Sequence, residues 1–429
     1  MTTSKTLSIL GASVIDPFTG TSGLVDIHSR GDCIVGLGDA PDGFVADRTL
    51  DAQGLIISPG FIDLSARLGE PGYEQKGTIA SETAAAVKGG VTHLCCPPDT
   101  LPVVDSPAVA TLIIERAAQY GLCKVSPIGA LTQGLKGEQL SEMVALKNAG
   151  CVGLSNGWHP VKDNQTLLRC MEYAGTFDLT LFVNAQEASL SAGGCAHEGS
   201  IATRLGLPAI PEAAETISVM SHILLAEKTG IRLHFSQISC KASALLIGEA
   251  QRRGLAVTAD VAVHQLLLTE ESIENYNAFS HCQPPLRSID DREGLRQAVA
   301  DGVVQAICSD HRPHEKAAKI EPFSLTEPGI SGIETLLPLT LKMVDLGVFD
   351  LDTAIQRLTQ GPANILAKKQ GGLVVGERAD FTVFSESETW EVASESLVSM
   401  GKNTPFLGQT VRGKVKYTVV KGSVVYADS

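Results

Sequence analysis

The sequence predicts an α/β chain: a (β/α)8 barrel of TIM type, with a small β-sandwich domain built from both chain ends. Three observations carry this. Short apolar runs alternate with helix-like stretches through the middle of the chain. Both ends read instead as short strands broken by turns. The length of 429 residues and the 44% hydrophobic content suit one large barrel plus a smaller domain.

At the N-terminal end, strand-like segments at 7–10, 24–28 and 33–37 are punctuated by Pro17, Gly20, Gly23, Gly31, Gly36 and Gly38. At the C-terminal end, 381–384, 415–420 and 423–426 have the same character. Each end is small for a core of its own. The expected composite domain is therefore 1–57 plus 366–429, and the barrel 58–365. Within the barrel, eight apolar runs fall at 56–64, 92–96, 124–130, 151–154, 180–184, 232–237, 256–261 and 306–309. Helix-like stretches between them include 106–120, 139–149, 211–229, 242–253 and 290–301. Chemistry in such a barrel sits where strands end, on the C-terminal face. The residues that close each run therefore decide the function.

Composition narrows the classes. The formal net charge is −14, with no basic run, which argues against nucleic acid as a partner. No apolar run reaches the ~20 residues of a membrane helix. The polar start, Met1-Thr-Thr-Ser-Lys-Thr6, lacks the pattern of a signal peptide, so the cytoplasm is the expected compartment. Ten cysteines occur with no Cys-x-x-Cys pair, and most lie inside apolar runs. They read as buried thiols of a reducing compartment.

The first run closes in Pro59-Gly-Phe-Ile-Asp-Leu-Ser-Ala-Arg-Leu-Gly-Glu-Pro-Gly72. Further on come Pro98-Asp-Thr100, Pro284-Pro-Leu-Arg287, Ser309-Asp-His-Arg-Pro-His314, Gly329-Ile-Ser-Gly-Ile-Glu-Thr335, Asn364 and a segment from Gly371 to Asp380. Together these motifs resemble the dihydroorotases of the metal-dependent amidohydrolase superfamily, and they span nearly the whole chain. The family writes Pro-Gly-x-x-Asp-x-His-x-His-x-Arg-Glu-Pro-Gly at the first site, and Thr-Asp-His-Ala-Pro-His near the eighth strand.

The departures from this pattern fall on the functional residues. The resemblance implies two metal-binding histidines where this chain has Ser65 and Arg67. It implies a bridging carboxylate near Asn156 and histidines at Asn184 and Gln237. Only the strand-eight aspartate, Asp310, remains. Zinc takes thiolate, imidazole or carboxylate ligands, commonly three from the protein in catalytic sites, and amide oxygens are weak substitutes. Arg67 adds a permanent cation where a dication belongs, and pairing with Asp310 is a structural use of that place. Substrate positions change too. The family's carboxylate-gripping arginine is Gly69, its Pro-Asn-Thr asparagine is Asp99, and the asparagine before Pro-Pro-Leu-Arg is Gln283. His314, a substrate histidine in the family, is kept beside His311, and loop packing accounts for both.

The resemblance thus implies a degenerate site with no catalytic residue, no metal and no cofactor. It also implies a pseudoenzyme role in pyrimidine biosynthesis. The chain would be an inactive subunit that supports the assembly of aspartate transcarbamoylase, as a homodimer within a larger complex. Two alternatives stay open: a metal-independent amidohydrolase using Asp310 and His314, and a module that binds a pyrimidine intermediate. An improvised metal site from His264, His281, Cys282 and His314 follows no known ligand spacing. Glu187 reads as solvated or salt-bridged.

Overall fold

The computed structural model describes residues 6–367 and 371–428. The polar start 1–5, and residues 368–370 and 429 of the expected C-terminal segment, lie outside the described residues. The first strands are β1 (Thr6–Leu10), β2 (Ser13–Asp16), β3 (Thr21–Leu24), β4 (Ile27–Arg30), β5 (Cys33–Leu37), β6 (Arg48–Asp51) and β7 (Ile56–Pro59). Then follow β8 (Phe61–Asp63), β9 (Val91–Cys96), β10 (Lys124–Pro127), β11 (Gly129–Ala130), β12 (Leu154–Ser155) and β13 (Thr180–Val183). The short pair β14 (Ala196–His197) and β15 (Ala209–Ile210) precedes β16 (Arg232–Phe235), β17 (Val257–Ala262) and β18 (Ala306–Cys308). The chain returns with β19 (Phe381–Glu391), β20 (Thr410–Val420) and β21 (Ser423–Ala427).

Both chain ends share one core. One sheet has the order β5-β4-β1-β6, and another has β21-β20-β19-β7-β2-β3. Leu7, Ile9, Val14, Ile34, Ile57, Phe381, Val383 and Val419 are buried together between these segments. The alternating burial along β5 and β2 is what a sheet with one covered face requires.

The middle strands pair in parallel as β10-β9-β8 and as β11-β12-β13-β16-β17-β18. The ladders thus form two sheets and not one continuous ring. A parallel bridge between Ala66 and His311 joins the chain after β8 to the chain after β18. All six residues of β9 are buried, as expected for a parallel strand covered on both faces. Helices flank the strands, and several carry local start signals. Thr78 and Ser81 form a capping box for the helix Ile79–Lys88, as do Ser288 and Asp291 for Ile289–Ala300.

Three sequence expectations need correction. The run 56–64 is two strands: β7 pairs with β19, while β8 pairs with β9. Gly60 lies between them and bonds through its N–H to Asp380 O. The run 24–28 breaks after Leu24, where the Asp26 carboxylate turns to accept the Gly11 N–H. The helix expected from 139 starts only at Met143, because Gln139 O and Leu140 are engaged with Gln133 and Thr132. Among the described residues, no helix is long and apolar enough to cross a membrane.

Candidate functional site at the strand ends

The C-terminal ends of the parallel strands bring Ser65, Arg67, Asp99 and Asp310 together. Arg67 donates to Asp99 Oδ2 from Nε at 2.9 Å and from Nη2 at 2.8 Å. Its third nitrogen, Nη1, lies 3.7 Å from Asp310 Oδ1. The same oxygen accepts a hydrogen bond from Ser65 Oγ at 3.2 Å and lies 3.6 Å from Arg312 Nε. The expected Arg67–Asp310 pairing is therefore the looser of the two Arg67 contacts. Asp99, which stands where the family motif has a substrate-position asparagine, is bound to the guanidinium.

The electrostatics follow from this arrangement. Burial works against the Arg67 charge, yet Asp99 and Asp310 outweigh it and raise the guanidinium pKa. Burial likewise opposes the Asp99 charge, and Arg67 and Arg312 overcome it and lower that carboxyl. Arg312 fares differently. Burial and the neighbouring Arg67 charge pull its pKa down against the attraction of Asp310 and Asp99.

The other positions where the resemblance implies ligands or substrate contacts pair elsewhere. Asn184 Nδ2 donates to Gln237 Oε1 at 2.6 Å, and Gln237 Nε2 donates in turn to Asp260 Oδ1 at 3.5 Å. Asn156 accepts from Thr132 Oγ1 at 2.6 Å and donates to His159 O at 2.9 Å, which fixes its own loop. Gln283 donates to Gln186 Oε1 at 3.0 Å. Gln237 and Asp310 both hold left-handed backbone, with φ of 49° and 43°. Such conformations are uncommon for residues other than glycine and concentrate at functional sites.

Gly69 also has positive φ, at 72°. A Cβ there would run into the Gly77 carbonyl oxygen and lie 2.8 Å from Tyr73 O. The loop thus folds onto the place where the family motif has arginine. His314 Nε2 donates to Pro328 O at 3.1 Å, while burial pushes its pKa down to about 3. His311 Nε2 bonds to Glu82 Oε2 at 2.8 Å inside the core. Glu187 caps a short helix by accepting the Leu190 N–H at 2.8 Å, a role its sequence context did not announce.

A cleft of about 390 Å³ opens over this cluster, lined by Arg67, Asp99, Arg312, His314, Tyr73 and Lys76 among others. Sequence reasoning passed over Arg312 and Trp158. The signal for Arg312 was available, since it replaces the alanine of Thr-Asp-His-Ala-Pro-His. Trp158 stands in a loop whose sequence carries no motif.

Comparison with known proteins agrees with this architecture. The family described as dihydro-orotase-like matches residues 54–243. The chain is 52% identical over 421 residues to the dihydroorotase-like protein of Pseudomonas putida, covering 98% of this chain and 99% of that one. It is 41% identical over 423 residues to the dihydroorotase of Geobacter sp. (strain M21), covering 98% and 99%. Among solved structures, L-hydantoinase (dihydropyrimidinase) from Arthrobacter aurescens matches with a TM-score of 0.87 at 22% identity, covering 98% of this chain and 96% of that one. The fold is therefore of the α/β amidohydrolase type seen in hydantoinases. At the level of sequence, the chain belongs to the dihydroorotase-like family.

The metal that the family resemblance implies does not fit the donors present. Among the described residues, no group of three or more His, Cys, Asp or Glu side chains could hold an ion. Asp310 is the one carboxylate among the six positions where the resemblance implies ligands, and it faces two guanidiniums. His264, His281, Cys282 and His314 do not form such a group either.

Proposed function

We propose that this chain is a non-catalytic, dihydroorotase-like subunit whose fold serves the assembly of aspartate transcarbamoylase. The observation that carries the first half is the Arg67 guanidinium, clasped to Asp99 and held 3.7 Å from Asp310. A fixed cation stands where the family resemblance implies a metal. A metal-bound water reaches a pKa near ~7 against ~15.7 in bulk, and a guanidinium without a free base does not supply that. Ser65, Asn184 and Gln237 bond to neighbouring side chains, and a hydroxyl or an amide does not replace the imidazole ligands that the resemblance implies there.

The second half rests on the family likeness together with the altered site. A chain that keeps the whole fold while its reactive positions change keeps a surface for a partner. In this reading the chain is a homodimer that holds transcarbamoylase trimers in a larger complex in pyrimidine biosynthesis. The test uses the purified full chain with and without added zinc. Metal content and dihydroorotate turnover are measured, followed by co-elution with aspartate transcarbamoylase on a sizing column. The expected result is no stoichiometric metal, no turnover and a joint high-mass peak. Turnover with bound metal would overturn the non-catalytic role. Separate elution of the two proteins would overturn the assembly role.

A further inference from the structure

Folded proteins leave few buried donors without an acceptor. Here several stand together. Among the described residues, Arg67 Nη1, Arg312 Nε and Nη2, Trp158 Nε1 and both ring nitrogens of His264 are buried with no hydrogen-bond partner. These groups lie near Arg312, and two of them face one acceptor. Arg67 Nη1 and Arg312 Nε flank the same Asp310 oxygen at 3.7 and 3.6 Å, too far for hydrogen bonds. The Arg312 guanidinium lies 5.8 Å from the centre of the Trp158 ring. His264 lies within the fields of Asp310 and Arg312.

The Arg312 atoms matter most. Nε and Nη2 form one edge of the guanidinium, the parallel two-donor fork that matches a carboxylate or phosphate. Arg67 uses this same edge on Asp99. The Arg312 edge has no such acceptor; the residue lines the cleft, but these two nitrogens are closed off from it, so an occupant reaches them when the side chain turns. Leaving a buried charged donor unmet is unfavourable by about 1–3 kcal/mol or more, so the fork is suited to an occupant.

We propose that the cleft binds a small oxyanion, a carboxylate or phosphate group, on the Nε/Nη2 fork of Arg312 with Arg67 Nη1 beside it. Asp99 and Asp310 balance the two guanidiniums. Recognition therefore depends on the directed hydrogen bonds more than on net charge, since Lys76 at the rim is itself paired with Glu327. The site is independent of transcarbamoylase docking and of any turnover.

The experiment titrates the full-length protein with inorganic phosphate in one arm and succinate in the other. Ionic strength is held constant with sodium chloride, and thermal unfolding and calorimetry are read together. A saturable rise in Tm in either arm is expected, and the arm that responds identifies the class of oxyanion. Arg312→Gln should weaken the apparent affinity by about 10-fold or more. Arg312→Lys, which keeps the charge but not the fork, should weaken it as well, and it serves as the readout if Arg312→Gln does not fold. No saturable effect in either arm beyond the chloride control would overturn the proposal. An undiminished effect in the folded variants would overturn it too.

Discussion

Arg67 grips Asp99 through two nitrogens on one carboxylate oxygen, at 2.9 and 2.8 Å. Each side chain is about one-fifth exposed, with 21% for both, so the pair is neither a surface ion pair nor a fully desolvated one. Removing the Asp99 charge leaves two largely buried guanidiniums, Arg67 and Arg312, with Asp310 to offset both. Asp99→Asn should therefore destabilise the protein by about 1–3 kcal/mol. Arg67→Met combined with Asp99→Asn should cost less than the sum of the single changes, as a double-mutant cycle by urea unfolding would read. Strict additivity would mean that the two side chains do not stabilise each other.

Restoring the two histidines of the family motif should not restore a metal site. In Ser65→His/Arg67→His, Asn184 and Gln237 still bond to each other and Asn156 still holds its own loop. The double variant should bind less than stoichiometric zinc by elemental analysis and show no dihydroorotate turnover. It should also melt earlier, because Asp99 and Asp310 lose a cation that faces both.

Acid should weaken this protein through histidines kept neutral. Burial pushes His264 down to about 4, and burial with the Lys319 charge pushes His281 down to about 4 and His314 to about 3. Their unfolded values lie near 6.5. Below that pH the unfolded chain takes up protons that the folded chain refuses, so stability falls as pH drops through the window from about 6.5 to about 4. Urea midpoints measured across that window should decline, and His264→Leu should make the decline shallower. An unchanged slope in that variant would show that His264 is not one of the groups responsible.

Glu82 ties three parts of the chain together. It accepts from His311 Nε2 at 2.8 Å, from Ser399 Oγ at 2.6 Å and from Met400 N at 3.1 Å, on the helix Ile79–Lys88. Burial opposes its charge, but His311, Ser399 and Ser81 prevail and hold its pKa below the usual value. Glu82→Gln should lower stability by about 1–3 kcal/mol, because a buried donor then faces donors. Hydrogen exchange should show the 397–401 segment opening first.

What the residues reveal in advance divides by physical cause. The alternation of apolar runs and the Pro-Gly and Pro-Pro-Leu-Arg motifs place the strands and the site, because burial and turn chemistry are written locally. Ser65, Arg67 and Gln237 stand out one by one against the motif that the resemblance implies. That Arg67 prefers Asp99 to Asp310 is a matter of reach and angle across two strands, which no single segment encodes. The split at Gly60 is hidden for a similar reason. Ile56–Pro59 and Phe61–Asp63 are equally apolar, and only their partners differ. Glu187 looks like any exposed acid until the short helix it caps is seen.

The backbone around Gly69 bears on reversibility. With the Gly77 carbonyl and Tyr73 O closed over it, the position has no room for a side chain. An arginine there demands that the neighbouring loop be rebuilt first, and that rebuilding brings no benefit until the arginine and a metal are both in place. If the chain is the non-catalytic subunit proposed above, it sits behind a one-way step. Single substitutions can then wander around the mouth, while the family's hydrolytic pattern requires several changes at once, the least accessible of them in the main chain.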